Sequence, residues 1–404
     1  MMSMERVVIV GGGLAAASAA KTLRAEGFGG GIAIYSEERH HIYDRPPLSK
    51  AVLQGAASAE STCLLSAEMV RDLRIDLMLG ERIVQIDRSR QSVILSSGEV
   101  APYDSLLIAT GSRPRKLSAH FVNKANVVYL RTLDDADRLR SHMGPGKHLL
   151  SIGAGWIGLE VAATARKMGM NTNVVELSDR LCGRSLPPDV GEALAKVHRD
   201  NGTVLHLKTT IDEVFGGERV ESVKLSSGDL IPVDIVVVGV GAIANDDLAE
   251  AAGLETNAGV LVDERLRTSD NLIYAAGDVA AMRSNDGLPK RQESWANAQD
   301  QGAAAARSIL GNNTPYVANT WFWSDQYDLN VQMIGDNQPE NGVVLRRLGE
   351  GRTFTRLSVA DGRIVGAICF GMPREMAIVR RLMAKGYIVN NEALVIEPDL
   401  RKLL

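Results

Sequence analysis

Two stretches decide the architecture: residues 6–27, RVVIVGGGLAAASAAKTLRAEG, and residues 148–169, HLLSIGAGWIGLEVAATARKMG. Both open with a short apolar run that reads as a strand, pass through a glycine-rich turn and continue into an alanine-rich run that reads as a helix. The first carries Gly11-x-Gly13-x-x-Ala16 and the second Gly153-x-Gly155-x-x-Gly158. In this spacing the first glycine permits the tight turn, the second lets backbone approach a pyrophosphate, and the third small residue lets helix pack on strand. The N-terminus of the helix then offers free N–H groups and a positive dipole end to phosphates. Each copy is followed by a second β-like run ending at an acid, 32–35 before Glu37 and 173–175 before Glu176. A carboxylate there can accept hydrogen bonds from both hydroxyls of a ribose. One glycine turn is a common packing device, but two in this context, each with its acid, predict two dinucleotide sites on an α/β fold with two Rossmann-like domains.

A pair of dinucleotides implies a resident flavin and a passing nicotinamide. Three more glycine signals follow apolar runs: Ala109-Thr110-Gly111, Gly239-x-Gly241 and Gly277-Asp278. Taken singly they are strand ends with turns. Their order resembles that of the glutathione-reductase-like two-dinucleotide flavoproteins over essentially the whole chain. The resemblance implies a discontinuous FAD domain at 1–112 and 241–320, an inserted NAD domain at 113–240, and a smaller α+β domain at 321–404. It further implies that Asp278 bonds the ribityl chain of FAD while the second fingerprint holds NADH. In the last domain, 343–347, 354–359 and 364–370 read as strands and 373–384 as a basic amphipathic helix, so an antiparallel sheet with helices is expected.

Four blocks narrow the family: 43–50 (YDRPPLSK), 155–162 (GWIGLEVA), 291–302 (RQESWANAQDQG) and 321–329 (WFWSDQYDL). They resemble the oxygenase-coupled, NADH-dependent ferredoxin reductases, a family that includes putidaredoxin and rubredoxin reductases and the reductase components of aromatic-ring dioxygenases. That resemblance implies Lys50 near flavin N5, Glu160 paired with Lys50 near the nicotinamide, and Trp323 by the flavin where the partner docks. It puts Arg45 near the FAD phosphates, Arg115 toward the flavin, and Glu293, Ser294 and Trp295 beside the flavin pyrimidine. Further cofactor contacts are implied for Leu14, Ala15, Ile83, Val84, Val279, Ile157, Arg184 and Gly241. The activity implied is hydride transfer from NADH to FAD, followed by single-electron transfer to a [2Fe–2S] ferredoxin that feeds an oxygenase. Apoptosis-inducing factor shares much of this scaffold, and an NADH oxidase or peroxidase with a redox cysteine is a further alternative; here the corresponding loop reads Ile42-Tyr43-Asp44.

Composition narrows the remaining classes. Net charge is −4 over 404 residues, which offers no basic footprint for nucleic acid. The longest apolar stretches, around 7–20 and 235–244, are rich in glycine and alanine and fall short of the ~18–20 apolar residues of a membrane helix. Met1, Glu5 and Arg6 supply no net positive segment ahead of the first, so no secretory leader is expected and a cytoplasmic location is. Cys63, Cys182 and Cys369 lie far apart and read as small hydrophobes, not as a redox dithiol. His40-His41 lacks ligand spacing, so no metal site is expected. Arg346, Arg347, Arg380, Arg381, Lys385, Arg401 and Lys402 make the C-terminal segment the expected docking surface for an acidic ferredoxin.

Overall fold

The computed structural model describes residues 4–117, 121, 123–283, 287–318, 320–338, 342–349, 352–397 and 399–403, with backbone only at 343 and 345–348. The chain separates into two compact units. One comprises Met1–Arg45, Ser58–Arg113 and Ala242–Thr320, the other Pro46–Ala57, Pro114–Gly241 and Trp321–Leu404.

The first unit is built on a five-stranded parallel sheet in the order Ile273–Ala275, Ser105–Ile108, Arg6–Val10, Gly31–Ser36, Ile75–Leu79. Its central strand is buried over four consecutive apolar residues, Val7 to Val10, as a strand covered on both faces must be. The chain then turns through Gly11, whose φ of 119° is open to glycine and strained for other residues. A Cβ there would lie 2.2 Å from the carbonyl oxygen of Ala109. Helix Leu14–Ala25 follows, burying Ala15, Ala16, Ala17, Ala19, Ala20 and Leu23. Its small side chains permit close packing on helix Trp295–Ile309, where a Cβ on Gly302 would meet the Ala15 carbonyl oxygen at 2.3 Å.

The second unit repeats this plan. Its parallel sheet runs Val204–Leu207, Asn171–Glu176, His148–Ile152, Ile235–Val238, Val127–Val128, with the fingerprint strand again central. Gly153 has a φ of 94°, and a Cβ on it would lie 2.5 Å from the Gly239 carbonyl oxygen. Smaller features also recur. Asp104 caps the start of the first central strand through the Arg6 N–H at 2.7 Å, and Asp234 does the same for His148 at 2.7 Å. Each unit adds a three-stranded antiparallel meander, Ile83–Asp87, Ser92–Leu95 and Val100–Pro102 in one, Ile211–Phe215, Ser222–Leu225 and Leu230–Pro232 in the other.

The second unit also carries the C-terminal five-stranded antiparallel sheet, in the order Phe322–Gln326, Leu329–Gly335, Arg363–Phe370, Phe354–Ala360, Val343–Leu348. Helix Pro373–Lys385 buries Met376, Val379 and Leu382 and leaves Arg380, Arg381 and Lys385 exposed. The fold is therefore α/β with two Rossmann-like sheets, as the repeat predicts, plus a smaller α+β part, as the pattern of the last segment does. Among the described residues no helix is long and apolar enough to cross a membrane.

The Gly302–Ala15 approach is testable. Gly302→Ala should lower the stability of the first unit by about 1–3 kcal/mol, because neither backbone can move without opening the helix pair. Thermal unfolding checks this, and an unchanged midpoint would show that the two helices part freely.

Candidate functional site

The first site belongs to the first unit. Helix Leu14–Ala25 begins at Gly13 with no side-chain cap and no acidic residue in its first turn. Among the described residues no side chain caps its leading N–H groups, the arrangement a phosphate-binding helix uses. Around Gly13 there is open space, since a Cβ there would meet nothing within 4 Å. Leu14 and Ala15 form the first turn. Ala109, Thr110 and Gly111 close the adjacent strand, and Thr110 is tied to the Asn245 carbonyl at 2.8 Å. Asp278 accepts from the Ser112 hydroxyl at 2.8 Å, and its carbonyl accepts from Arg291 at 3.0 Å, with Val279 fully buried beside it. Arg291 also pairs with Glu293 at 2.7 Å. Ser294 caps helix Trp295–Ile309, and Trp295 donates its indole N–H to Asp44 at 2.7 Å. Ile83 is buried in its strand, whereas Val84 beside it is exposed.

Arg45 is half-buried and pairs with Glu38 at 2.7 Å, and Glu38 in turn accepts from the Tyr43 hydroxyl. Burial works against the arginine charge, but the Glu38 carboxylate and Tyr43 outweigh it and hold Arg45 above its ordinary pKa. Glu37 occupies a different kind of position from its expected counterpart. Val10 pairs with Tyr35 as Ile152 pairs with Val175, so the residue equivalent to Glu176 is Ser36. Glu37 stands one residue farther on, 72% exposed and 3.9 Å from Arg82.

The second site belongs to the second unit. Helix Trp156–Lys167 also starts without a side-chain cap or an acid in its first turn; Gly155 is its N-cap, Ile157 is exposed and Gly158 buried. Glu176 ends the neighbouring strand with one carboxylate oxygen 2.8 Å from the Ala154 N–H. The other accepts from the Ser178 N–H at 2.8 Å and from the Ser178 hydroxyl. Burial opposes its charge, yet these donors together keep the carboxyl below the usual range. Nearby, the Arg115 N–H bonds the Gly241 carbonyl at 2.9 Å, and a Cβ on Gly241 would lie 3.6 Å from the Arg184 guanidinium.

The same unit holds the ion pair expected of Lys50 and Glu160, at 2.7 Å with both side chains largely buried. Lys50 precedes the short helix Ala51–Gln54 and also donates to the Pro46 carbonyl at 3.2 Å. The motif 43–50 thus divides between the units, with Arg45 on the first and Lys50 on the second. Glu160 additionally accepts from Ser49 at 2.5 Å and from Ser324 at 2.6 Å. Neither serine figures in the sequence reading. The alternation in 321–326 carries the signal for one of them, since Ser324 and Gln326 are buried polar residues on the face opposite Trp323 and Asp325.

Trp323 stacks on Trp321 with ring centres 4.9 Å apart, and Arg380 lies 5.3 Å above Trp321. Of the other basic residues expected on this surface, Arg401 pairs with Asp399 at 2.8 Å and Lys402 with Glu397 at 3.3 Å. The side chains of Arg346 and Arg347 lie outside the described residues. Among the described residues there is no group of three His, Cys, Asp or Glu able to hold a metal ion.

Residues 5–302 match the pyridine nucleotide-disulphide oxidoreductase family, and residues 321–404 match the reductase C-terminal family. The chain belongs to the pyridine nucleotide-disulphide oxidoreductases. It is 39% identical to rhodocoxin reductase of Rhodococcus erythropolis, over 94% of this chain and 89% of that protein. It is 37% identical to the ferredoxin–NAD(+) reductase component of the p-cumate 2,3-dioxygenase system of Pseudomonas putida, over 94% of this chain and 93% of that one. The fold superposes on a crystal structure of the covalent putidaredoxin reductase–putidaredoxin complex with a TM-score of 0.93 and 34% identity, covering 99% of this chain and 98% of that chain.

The fixed Glu176 carboxylate makes a prediction about the nicotinamide. A free ribose 2′-hydroxyl can donate to it, whereas a 2′-phosphate is repelled, so NADH should far exceed NADPH in kcat/KM. Glu176→Ala should narrow that preference by about tenfold or more, the loss of one hydrogen bond to a charged group. Equal use of the two donors by the unmodified protein would contradict this role.

Proposed function

We propose that the chain is an FAD-dependent NADH:ferredoxin oxidoreductase serving an oxygenase system. Membership of the family implies FAD and NAD(H), and the uncapped helix N-termini beside Gly13 and Gly155 fit two pyrophosphates. FAD is assigned to residues 1–112 and 241–320, NADH to 113–240, and the partner-facing surface to 321–404. The observation that carries the reading is the near full-length identity with two reductases, one of them named as the ferredoxin–NAD(+) reductase of a dioxygenase system. The cysteines support it. All three are free, and burial pushes the Cys369 thiol up to about 12 and raises that of Cys182. Such thiols are poor relays.

The chemistry that bound FAD would supply is acceptance of a hydride from NADH and release of electrons one at a time to an iron–sulfur partner. The residues of the chain do the rest. The N–H groups at the starts of the two fingerprint helices bind the pyrophosphates, and Arg45 adds positive charge on the FAD side. Asp278 accepts from the ribityl chain, and Glu37, exposed beyond Ser36, is assigned to the adenosine ribose. Glu176 orients the ribose of NADH. Lys50 is assigned the positive charge that favours the reduced flavin, and Glu160 keeps that buried ammonium paired. Trp323 and Trp321, with Arg380 over the Trp321 ring, form the surface offered to the ferredoxin. The cytoplasm is the location assigned, a reading supported by the use of NADH and by cysteines that form no disulfide among the described residues.

Lys50→Met keeps the length of the stem and removes the charge. It should slow reduction of the bound flavin by NADH, or lower the flavin potential, while FAD stays bound; stopped-flow rates and a potential both equal to wild type would remove Lys50 from the mechanism. Exposed basic residues near Trp321 predict a second effect. Ferredoxin-dependent turnover should fall steeply as salt is added, since charge steering is screened over roughly 8–10 Å at physiological ionic strength. NADH-dependent reduction of ferricyanide should change little. Charge reversal at Arg380 and Arg381 should raise the KM for ferredoxin and leave that for NADH alone, and an unchanged ferredoxin KM would place docking elsewhere.

A further inference from the structure

The buried carboxylate of Glu160 heads a chain of hydrogen bonds whose direction is fixed from one end. A carboxylate only accepts, so the single proton of the Ser324 hydroxyl, 2.6 Å away, points at Glu160. The Ser324 oxygen must then accept from the Gln326 amide nitrogen at 3.1 Å. That orients the amide, and its carbonyl oxygen faces His198 Nε2 at 2.6 Å. His198 is fully buried, and burial lowers its pKa to about 4, so at neutral pH the ring carries one proton. The proton belongs on Nε2, where the amide oxygen needs a donor. Nδ1 is left to accept from the Tyr327 hydroxyl at 3.3 Å, and the Tyr327 oxygen meets Thr203 at 2.8 Å.

Every donor in this chain points toward Glu160. Ser324 and Gln326 are 0% and 1% exposed, on the inner face of the strand whose outer face bears Trp323. The other oxygen of Glu160 is taken by Ser49 and Lys50. The Ser49 carbonyl is held by Thr164, one turn along the same helix, at 2.8 Å. The carboxylate is thus clamped on both oxygens, and rotating it would break a bond at each end.

We propose that Ser324, held by Gln326 and His198, is a positioning residue that fixes the Glu160 carboxylate and through it the Lys50 ammonium for hydride transfer from NADH. The proposal rests on the role assigned above to the Lys50–Glu160 pair. A merely structural network would tolerate loss of the Ser324 hydroxyl without a change in rate. A positioning role requires the effect to pass through Glu160.

The test compares Ser324→Ala and Ser324→Thr, each alone and in a Glu160→Gln background, in the FAD-loaded protein. Four quantities are read: FAD content, NADH dissociation constant, the rate of flavin reduction, and the His198 tautomer by 15N NMR of labelled histidine. Ser324→Ala should slow reduction about tenfold, as expected from losing one bond to a charged group, with NADH affinity changed by less than about twofold. The hydroxyl of Ser324→Thr should restore most of the rate, and Ser324→Ala should have no further effect in the Glu160→Gln background. His198 should be the Nε2–H tautomer in wild type and lose that preference in Ser324→Ala. If Ser324→Ala does not retain FAD, Gln326→Leu replaces it, since it breaks the chain and leaves Ser324 in place. A wild-type rate in Ser324→Ala, an equal loss in both backgrounds, or an Nδ1–H tautomer in wild type overturns the proposal. A Glu160→Gln protein that reduces at the wild-type rate overturns the role of the ion pair as well, so the two failures are distinguishable.

Discussion

A carboxylate buried on a helix must be compensated, and in the second unit that requirement draws distant parts of the chain together. Removing one partner of a buried ion pair costs about 3–5 kcal/mol, because the remaining charge is left without solvent or counter-ion. Glu160 is the only charged residue among the buried positions of helix Trp156–Lys167. Its partners come from the segment Pro46–Ala57 and from the strand Phe322–Gln326, more than a hundred residues away on either side. Pro46–Ala57 belongs to the second unit although it interrupts the first in sequence, and it carries Ser49 and Lys50 to Glu160.

The two parallel sheets share one plan. Both place a fingerprint strand at the centre, turn through a glycine with positive φ, and present a helix N-terminus without a cap. They differ at the end of the second strand, where Glu176 stands in one and Ser36 in the other. Glu176 is oriented by Ala154 and Ser178, a fixed anion suited to a ligand that arrives and leaves. In the first unit the nearest tied carboxylate is Glu38, engaged with Arg45 and Tyr43. That site presents a bound cation where the other presents a bound anion.

Much of this was legible in the chain itself. The fingerprints, the strand ends at Gly111, Gly241 and Gly277, and the strands and helix of the C-terminal part follow from periodicity and turn chemistry, which are local. The pairing of Lys50 with Glu160 came from family resemblance and no local rule. The equivalence of Ser36 and Glu176 needs sheet register, and the expected acid, Glu37, stands one residue beyond it. The meander also repeats in the chain: 92–98, SVILSSG, matches 222–228, SVKLSSG, and each lies before the next strand of its sheet. The alternation in 321–326 marks Ser324 as inward-facing, but that Ser49 and Ser324 both donate to Glu160 shows only once three separate segments are folded together.

The most direct test of the account is an anaerobic double-mixing experiment on the purified, FAD-loaded protein, first with NADH and then with an oxidised [2Fe–2S] ferredoxin, following flavin and cluster absorbance. The account predicts rapid bleaching of the flavin by NADH, then recovery of its colour in step with reduction of two equivalents of ferredoxin for each NADH consumed. A reduced flavin that persists in the presence of ferredoxin, as expected of a redox-sensing interaction protein, or one reoxidised only when oxygen is admitted, as expected of an oxidase, would contradict it.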